Sequence, residues 1–429
     1  MSAEAFRGED LEVVLADRRY EAIDKILKVS MKKRKAKLTF SDMLDKVFLH
    51  KYLGIPIFLA IMWAVFQFTF EVSSPFMDML ESGFGLLGKL AGDATTPLAS
   101  LWADGICAGL GFVMSFIFPI FFLFVALAIL ELSGYLPRAA FVMDRAMYKI
   151  GLPGKAFVPM LMGFGCNLPA IMATRGIEDE KDRLTTILVN PLMSCGARLP
   201  VYVVIAGALF PDYAGTVVFS MYILGIVLAV LMALLFRKVI PALKGKPGPL
   251  ILELPPYLTP TPASVGMLTW ERGVVFVKKA GTILFAGAVL LWFLTYFPWG
   301  VEPGSAESYA GKLGQAVQPI FSPLGFSSAL VIALIFGFLA KEIIVETLGI
   351  LYGAGEEEAA IKGAIAANVS PVTGFAFMAF VLTYLPCLAT VGIVKAETGS
   401  WKWVGFLILY ELLLAYAVAA VIVGMGSLL

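Results

Sequence analysis

The stretch Gly163–Pro200, GFGCNLPAIMATRGIEDEKDRLTTILVNPLMSCGARLP, lies among long apolar runs and cannot form one uninterrupted span itself. It holds Pro169 and Pro191, the cluster Gly163-Phe-Gly165-Cys166-Asn167, a dense run of charges, and Arg198 just beyond Cys195. A bilayer tolerates broken helices only where protein or a water-filled path satisfies the freed backbone groups. The stretch therefore predicts a gate, in which helix breaks buried in protein line the route of a solute.

Composition puts the surrounding chain in lipid. Apolar residues make up 59%, charged residues 15%, and the mean hydropathy is +0.86, so the surface needs a bilayer to cover it. This overrides the two or three soluble domains that 429 residues would otherwise suggest. A net charge of +1 favours neither nucleic acid nor an acidic partner. The polar first fifty residues lack the apolar core and small-residue cleavage site of a secretory signal. Cys107, Cys166, Cys195 and Cys387 form no CxxC pair and no disulfide framework. A single histidine, His50, argues against a histidine-built metal site.

Lys and Arg outside the spans set orientation. Residues 1–45 read as a cytosolic helical segment, with apolar residues at helical spacing, followed by a basic linker at Lys32, Lys33, Arg34, Lys35 and Lys37. That linker holds the N-terminus in the cytoplasm. Residues 46–429 read as a transmembrane permease. Spans are predicted at 53–70, 112–130, 184–210, 214–236, 280–298, 371–394 and 403–426. Residues 71–111, 299–323 and 353–370 are expected as outer loops, and 237–271 as a proline-rich cytoplasmic loop. If 157–174 crossed the membrane, Arg175, Arg183, Arg237 and Lys238 would all fall outside. A segment that enters and returns keeps every basic cluster inside.

The second half repeats the first. GFLAKEIIVETLG at 337–349 echoes GFGCNLPAIMATR at 163–175, and LTYLPC, ending in Pro386-Cys387, answers VNPLMSC with Asn190 and Pro191. One copy has its loop predicted inside and the other outside, the pattern of an inverted repeat. The expected fold is an all-α polytopic membrane protein of seven spans plus two re-entrant gate segments, with gate 1 at about 155–236 and gate 2 at about 325–428.

Three cysteines, Cys166, Cys195 and Cys387, stand beside predicted breaks, with Met193 and Asn167 close in sequence. Thiols and thioethers suit softer transition metals better than Mg²⁺ or Ca²⁺, and unwound carbonyls are natural cation ligands. Buried cysteine and methionine are also ordinary packing residues. Lys341, Glu342 and Glu346 interrupt an apolar run, and Glu342 and Glu346 share a helical face. Intramembrane charges are costly and point to function, although a Lys–Glu structural pair would also explain them. Arg198 and Glu411 are placed to pair with each other. The one approach to a phosphate loop, at 83–90, lacks the Mg²⁺-binding Ser or Thr and the strand-to-helix context. No bound nucleotide and no catalytic motif is expected.

The motifs GFGCNLPAIMATR, NPLMSCGARLPVYVVIAGALF, GFLAKEIIVETLGILYG and TYLPCLAT, in that order over residues 40–428, resemble the membrane domain of the prokaryotic ferrous iron transport protein B family. The resemblance implies Fe²⁺ as substrate, carried across the prokaryotic inner membrane. It implies metal handling at Cys166, Cys195 and Cys387, with Glu342 and Glu346 in the second gate motif. Family members begin with a cytosolic GTPase domain and a helical domain, whereas residues 10–37 here resemble only the tail of the latter. The expected partners are the lipid bilayer, a GTPase domain cut away or supplied as a separate G protein subunit, and a small Feo accessory protein. A homo-oligomer is allowed by the GxxxG-like spacing at Gly105 and Gly109. The rival readings are a nucleoside-type carrier with similar gates and a non-transporting membrane assembly or signalling subunit.

Overall fold

The computed structural model describes residues 18–23, 25–26, 40–50, 53–89, 96–245, 256–278, 282–301, 305, 307–353 and 358–427. The chain divides into two compact units, Met1–Lys46 and Val47–Leu429. In the first, residues 18–23 and 25–26 are helical, and Glu21 pairs with Arg18 at 3.3 Å and Lys25 at 3.2 Å. The basic linker at 32–37 lies outside the described residues.

The second unit is all helix among its described residues. Helix α1 spans Gly54–Lys89, α2 Ala108–Leu132 and α3 Tyr135–Lys149. The first gate follows as α4 Phe157–Gly165, α5 Asn167–Ala173, α6 Glu180–Val189, α7 Leu199–Leu209 and α8 Ala214–Val239. Then come α9 Pro262–Phe276, α10 Thr282–Tyr296 and α11 Tyr309–Phe321. The second gate comprises α12 Ser328–Gly337, α13 Ile343–Leu351, α14 Glu358–Asn368, α15 Pro371–Thr383, α16 Leu388–Thr398 and α17 Trp401–Gly426. Among the described residues, five runs are long and apolar enough to cross a bilayer: Pro56–Lys89, Glu180–Leu209, Pro211–Val239, Pro371–Thr398 and Trp401–Gly426. The number rises to seven if two bent pairs each count as one span: α2 with α3 at 80°, and Tyr309–Leu324 with α12 at 108°. This is an all-α polytopic membrane fold.

Several predicted loops are helical. Helix α1 continues to Lys89 through Glu71, Asp78 and an internal Pro75. Charges mark where a helix meets water and do not end it, and the supposed phosphate loop therefore begins on this continuous helix. Residues 262–271 of the proline-rich segment belong to α9, because Pro262 sits in its first turn, where a missing N–H costs nothing. Residues 246–255 of that segment lie outside the described residues. Helices α11 and α14 occupy parts of the other two predicted loops. The face of Gly105 is covered from within, since a Cβ there would lie 3.2 Å from the Trp292 ring.

Two apolar cores organise the gates. One contains Met160, Leu168 and Ile171 of the α4–α5 pair, Ile187 and Leu188 of α6, Ile393 and Val394 of α16, and Leu407 of α17. The other contains Val201 and Ile205 of α7, Leu330 and Leu334 of α12, Ile344 and Leu348 of α13, Phe377 and Phe380 of α15, and Ala415 of α17. The broken span α6–α7 passes from the first core to the second, and the broken span α15–α16 passes from the second to the first. Opposite senses of this kind are what an inverted repeat generates. Both breaks fall where the cores meet.

Candidate functional site

Each gate places a broken helix pair against a broken span. In gate 1 the break between α4 and α5 is Cys166 alone, in extended conformation at φ −153° and ψ 128°. Its N–H still donates to the Met162 carbonyl at 2.9 Å. Gly163 lets the second break approach, because a Cβ there would lie 3.0 Å from Met193 Cβ and 3.1 Å from Asn190 Oδ1. That second break runs from Asn190 to Arg198 through two short 3₁₀ turns. In gate 2 the breaks are residues 338–342 and 384–387, and the Leu388 N–H donates to the Phe338 carbonyl at 2.9 Å across them.

Carbonyls freed at a break need partners inside a membrane protein, and two buried cations supply them. Arg198, 1% exposed, donates from Nη1 to the carbonyls of Pro191 at 2.9 Å and Met193 at 3.0 Å. Lys341, 2% exposed, donates to the Leu385 carbonyl at 2.5 Å and rests 3.4 Å from the centre of the Tyr384 ring. No ion pair joins Lys341 to Glu342, nor Arg198 to Glu411, among the described residues. The guanidinium is engaged by the break instead, and Glu411 keeps one carboxylate oxygen without a hydrogen-bond partner. The pairing expected for Arg198 and Glu411 is therefore absent.

One cavity of about 130 Å³ lies at the junction, lined by Gly165, Cys166, Asn167, Cys195, Arg198, Lys341, Glu342 and Cys387 among others. It thus brings together all three break cysteines, from both gates, with the only carboxylate on its wall. Asn167 Oδ1 is buried there without a hydrogen-bond partner. Cys387 Sγ lies 3.0 Å from Thr390 Oγ1. Met193, Asn190, Pro191, Pro169, Pro386 and Gly163 are buried behind the wall, and Glu346 is exposed on α13, away from the cavity. Among the described residues no group of three or more His, Cys, Asp and Glu side chains is already gathered around one ion position. The thiols share a chamber without forming a closed cage.

Sequence reasoning missed Thr69 of α1, Pro119, Ile120 and Leu123 of α2, and Thr390, which also line the cavity. Thr390 was legible as the residue one helical turn beyond Cys387; the others carry no local signal. It also missed an ionic cluster at one end of the gates. The Glu397 side chain, 3% exposed, receives Arg175 Nη2 at 2.6 Å and Arg183 Nη2 at 2.7 Å. Hydrogen bonding to Glu397 pushes the Arg175 guanidinium further up from its already high value. Nearby, Arg237 and Asp182 form a buried pair, 7% and 2% exposed, and Lys155 bonds Glu178 at 2.7 Å, which holds that carboxyl below its usual range.

Comparison with known proteins agrees with this architecture. Residues 113–209 and 277–401 match a profile described as Gate, nucleoside recognition, and residues 218–272 match one described as ferrous iron transport protein B C terminus. The chain is similar to the Fe(2+) transporter FeoB of Methanocaldococcus jannaschii, at 49% identity over 98% of this chain and 64% of that protein. The chain belongs to the ferrous iron transport protein B family. Another similar family member, the Fe(2+) transporter FeoB of Campylobacter jejuni, is 39% identical over 92% of this chain and 67% of its own length. A Fe(2+) transport protein A/Fe(2+) transporter FeoB fusion protein of Porphyromonas gingivalis is 38% identical over 98% of this chain and 56% of its own. The chain thus spans about six-tenths of the length of the family relatives it matches, 64% in the Methanocaldococcus protein and 56% in the Porphyromonas one. No solved structure matches it.

Proposed function

We propose that this chain is the ion-conducting membrane part of a ferrous iron importer in the prokaryotic inner membrane, with its N-terminus in the cytoplasm. The observation that carries the reading is the meeting of Cys166, Cys195 and Cys387, drawn from both gates, on one cavity wall with Glu342 and Asn167. Borderline-soft Fe²⁺ suits such a mixed sulfur and oxygen lining better than Mg²⁺ or Ca²⁺ do. Met193 and Glu346 sit outside the chamber and serve the cation on its way in or out.

The size of the chamber favours an ion over a nucleoside. Small-molecule pockets run to about 300–1,000 Å³, whereas this one holds about 130 Å³. At about 10–15 Å³ of such space per water, that is room for an ion together with its shell of waters. In the intact system a GTPase domain, fused or separate, drives the gates, and a small accessory protein of the kind fused in the Porphyromonas relative assists. Fe²⁺ uptake into vesicles by Cys195→Ser and Cys387→Ser variants tests the reading. Each loses most of its uptake if the thiols handle the metal, and wild-type uptake in both overturns it.

A further inference from the structure

One stripe of α17, Leu407, Glu411 and Ala415 at four-residue spacing, is buried along its length. Leu407 belongs to the first apolar core and Ala415 to the second, which sets Glu411 between the cores, where both breaks fall. Glu411 is 1% exposed. No ion pair reaches it among the described residues, and Oε2 has no hydrogen-bond partner. Oε1 lies 3.4 Å from the Tyr410 hydroxyl, whose single proton is directed to the Leu188 carbonyl. Tyr410 therefore cannot donate to Glu411, although its oxygen can accept from it. The charged side chains within electrostatic reach are Arg198 and Lys341, both anchored on break carbonyls. Of the neighbouring elements, α15 and the turn Ser322–Leu324 carry no ionisable side chain. Lys395 and Glu397 of α16 lie by its junction with α17, about 15 Å along the axis from Glu411. The charges of α6 sit at the end away from Leu188, and those of α8 are Arg237, paired with Asp182, and the exposed Lys238. An unpaired carboxylate in such a place is costly. The protonated acid needs only an acceptor, and Tyr410 Oη is one.

We propose that Glu411 is a proton-binding site coupled to the chamber, carrying a proton while the chamber is empty and releasing it when a divalent cation enters. This rests on the transport reading above and adds a second ion to it. The link is electrostatic. Arg198 and Lys341 line the chamber and act on Glu411 as well, and a cation arriving beside them adds positive charge that favours the carboxylate. The balance is one divalent ion in and one proton out, so the local charge rises by one and not by two. Glu411 is sealed from solvent in this arrangement, so its proton passes to the water that the parting gates admit, and departure of the ion returns one. Proton and cation thereby compete, each weakening the other's binding by the same factor.

Glu411→Gln, which copies the shape of the neutral acid, supplies the test on the full chain in detergent. Its melting temperature is expected to match wild type. A marked loss, or failure to fold, means that Glu411 was an anion balancing Arg198 and Lys341, and overturns the proton site. Infrared spectra of the metal-free chains at neutral pH are expected to show a protonated carboxylic C=O band that the variant lacks, and identical bands overturn the site as well. Coupling is read with Cd²⁺ in weak buffer containing a pH dye. Wild type is expected to release about one proton more per Cd²⁺ bound than Glu411→Gln, the thiol protons being common to both. Equal release from the two chains overturns the coupling while leaving the transport reading intact. Absence of Cd²⁺ binding by either chain overturns the transport reading itself, and the coupling falls with it.

Discussion

The Glu397 cluster ties the two gates together at one end, and its loss should open that end. Arg175 follows α5 and Arg183 lies on α6, both in gate 1, while Glu397 is near the end of α16 in gate 2. Arg175 donates from Nε at 3.1 and 2.9 Å and from Nη2 at 2.6 Å, and Arg183 donates at 2.7 Å. Bonds to charged groups contribute about 1.5–3 kcal/mol each where they are buried. Here the arginine side chains are 56% and 30% exposed, so water recovers most of their solvation and the discount is large. For Glu397→Gln we expect a net loss of about 2 kcal/mol, which corresponds to a shift of about 30-fold in an open–closed equilibrium. The assay is the rate at which a membrane-impermeant maleimide labels the chamber cysteines from that side of oriented vesicles. Labelling should rise by up to that factor in Glu397→Gln, and less in Arg175→Gln, whose side chain is the more exposed. An unchanged rate in Glu397→Gln, with an unchanged melting temperature, refutes the idea that this cluster holds the gates together.

Three further outcomes follow from neighbouring features. Asp182→Asn leaves Arg237 buried beside a neutral group and should cost about 3–5 kcal/mol in thermal or denaturant unfolding, whereas Asp182→Leu with Arg237→Met should recover most of that loss. Gly225→Ala puts a Cβ 2.8 Å from the Leu192 carbonyl, so backbone at the Asn190–Arg198 break must shift, and about 1–3 kcal/mol of stability together with part of the transport rate should be lost. Cys107→Ala should leave metal uptake at the wild-type level, because Cys107 is buried away from the chamber, which makes it the control for thiol substitutions elsewhere.

Features set by local covalent chemistry were legible in the sequence. Pro191 and the Gly163–Gly165 cluster announced breaks, and the helices end or turn 3₁₀ there. The repeat of proline and cysteine in the second half pointed to Cys387 as the counterpart of Cys195, and both line the chamber. What failed was inference from charge to loop. Glu71 and Asp78 ride on a continuous helix because nothing in a carboxylate opposes helical backbone geometry. Long-range partners were illegible for a different reason. With 33 basic and 32 acidic residues, spacing alone cannot choose among the pairings, so the Arg198–Glu411 pairing was wrong and the Glu397 cluster went unseen. Nor does any pattern announce that a lysine will bond a carbonyl, as Lys341 does at Leu385.

Two buried basic side chains support the breaks where they border the chamber. A break inside a bilayer frees carbonyls that would themselves draw a cation. Arg198 and Lys341 donate to the carbonyls of Pro191, Met193 and Leu385, while the three thiols, Glu342 and the unpartnered amide oxygen of Asn167 face the same chamber. On the transport reading proposed above, an ion entering would meet ligands that can hold it beside the Arg198 guanidinium, which repels it. On that reading, support of the break and weak cation binding would be one device, because Arg198 both completes the broken backbone and shortens the ion's stay.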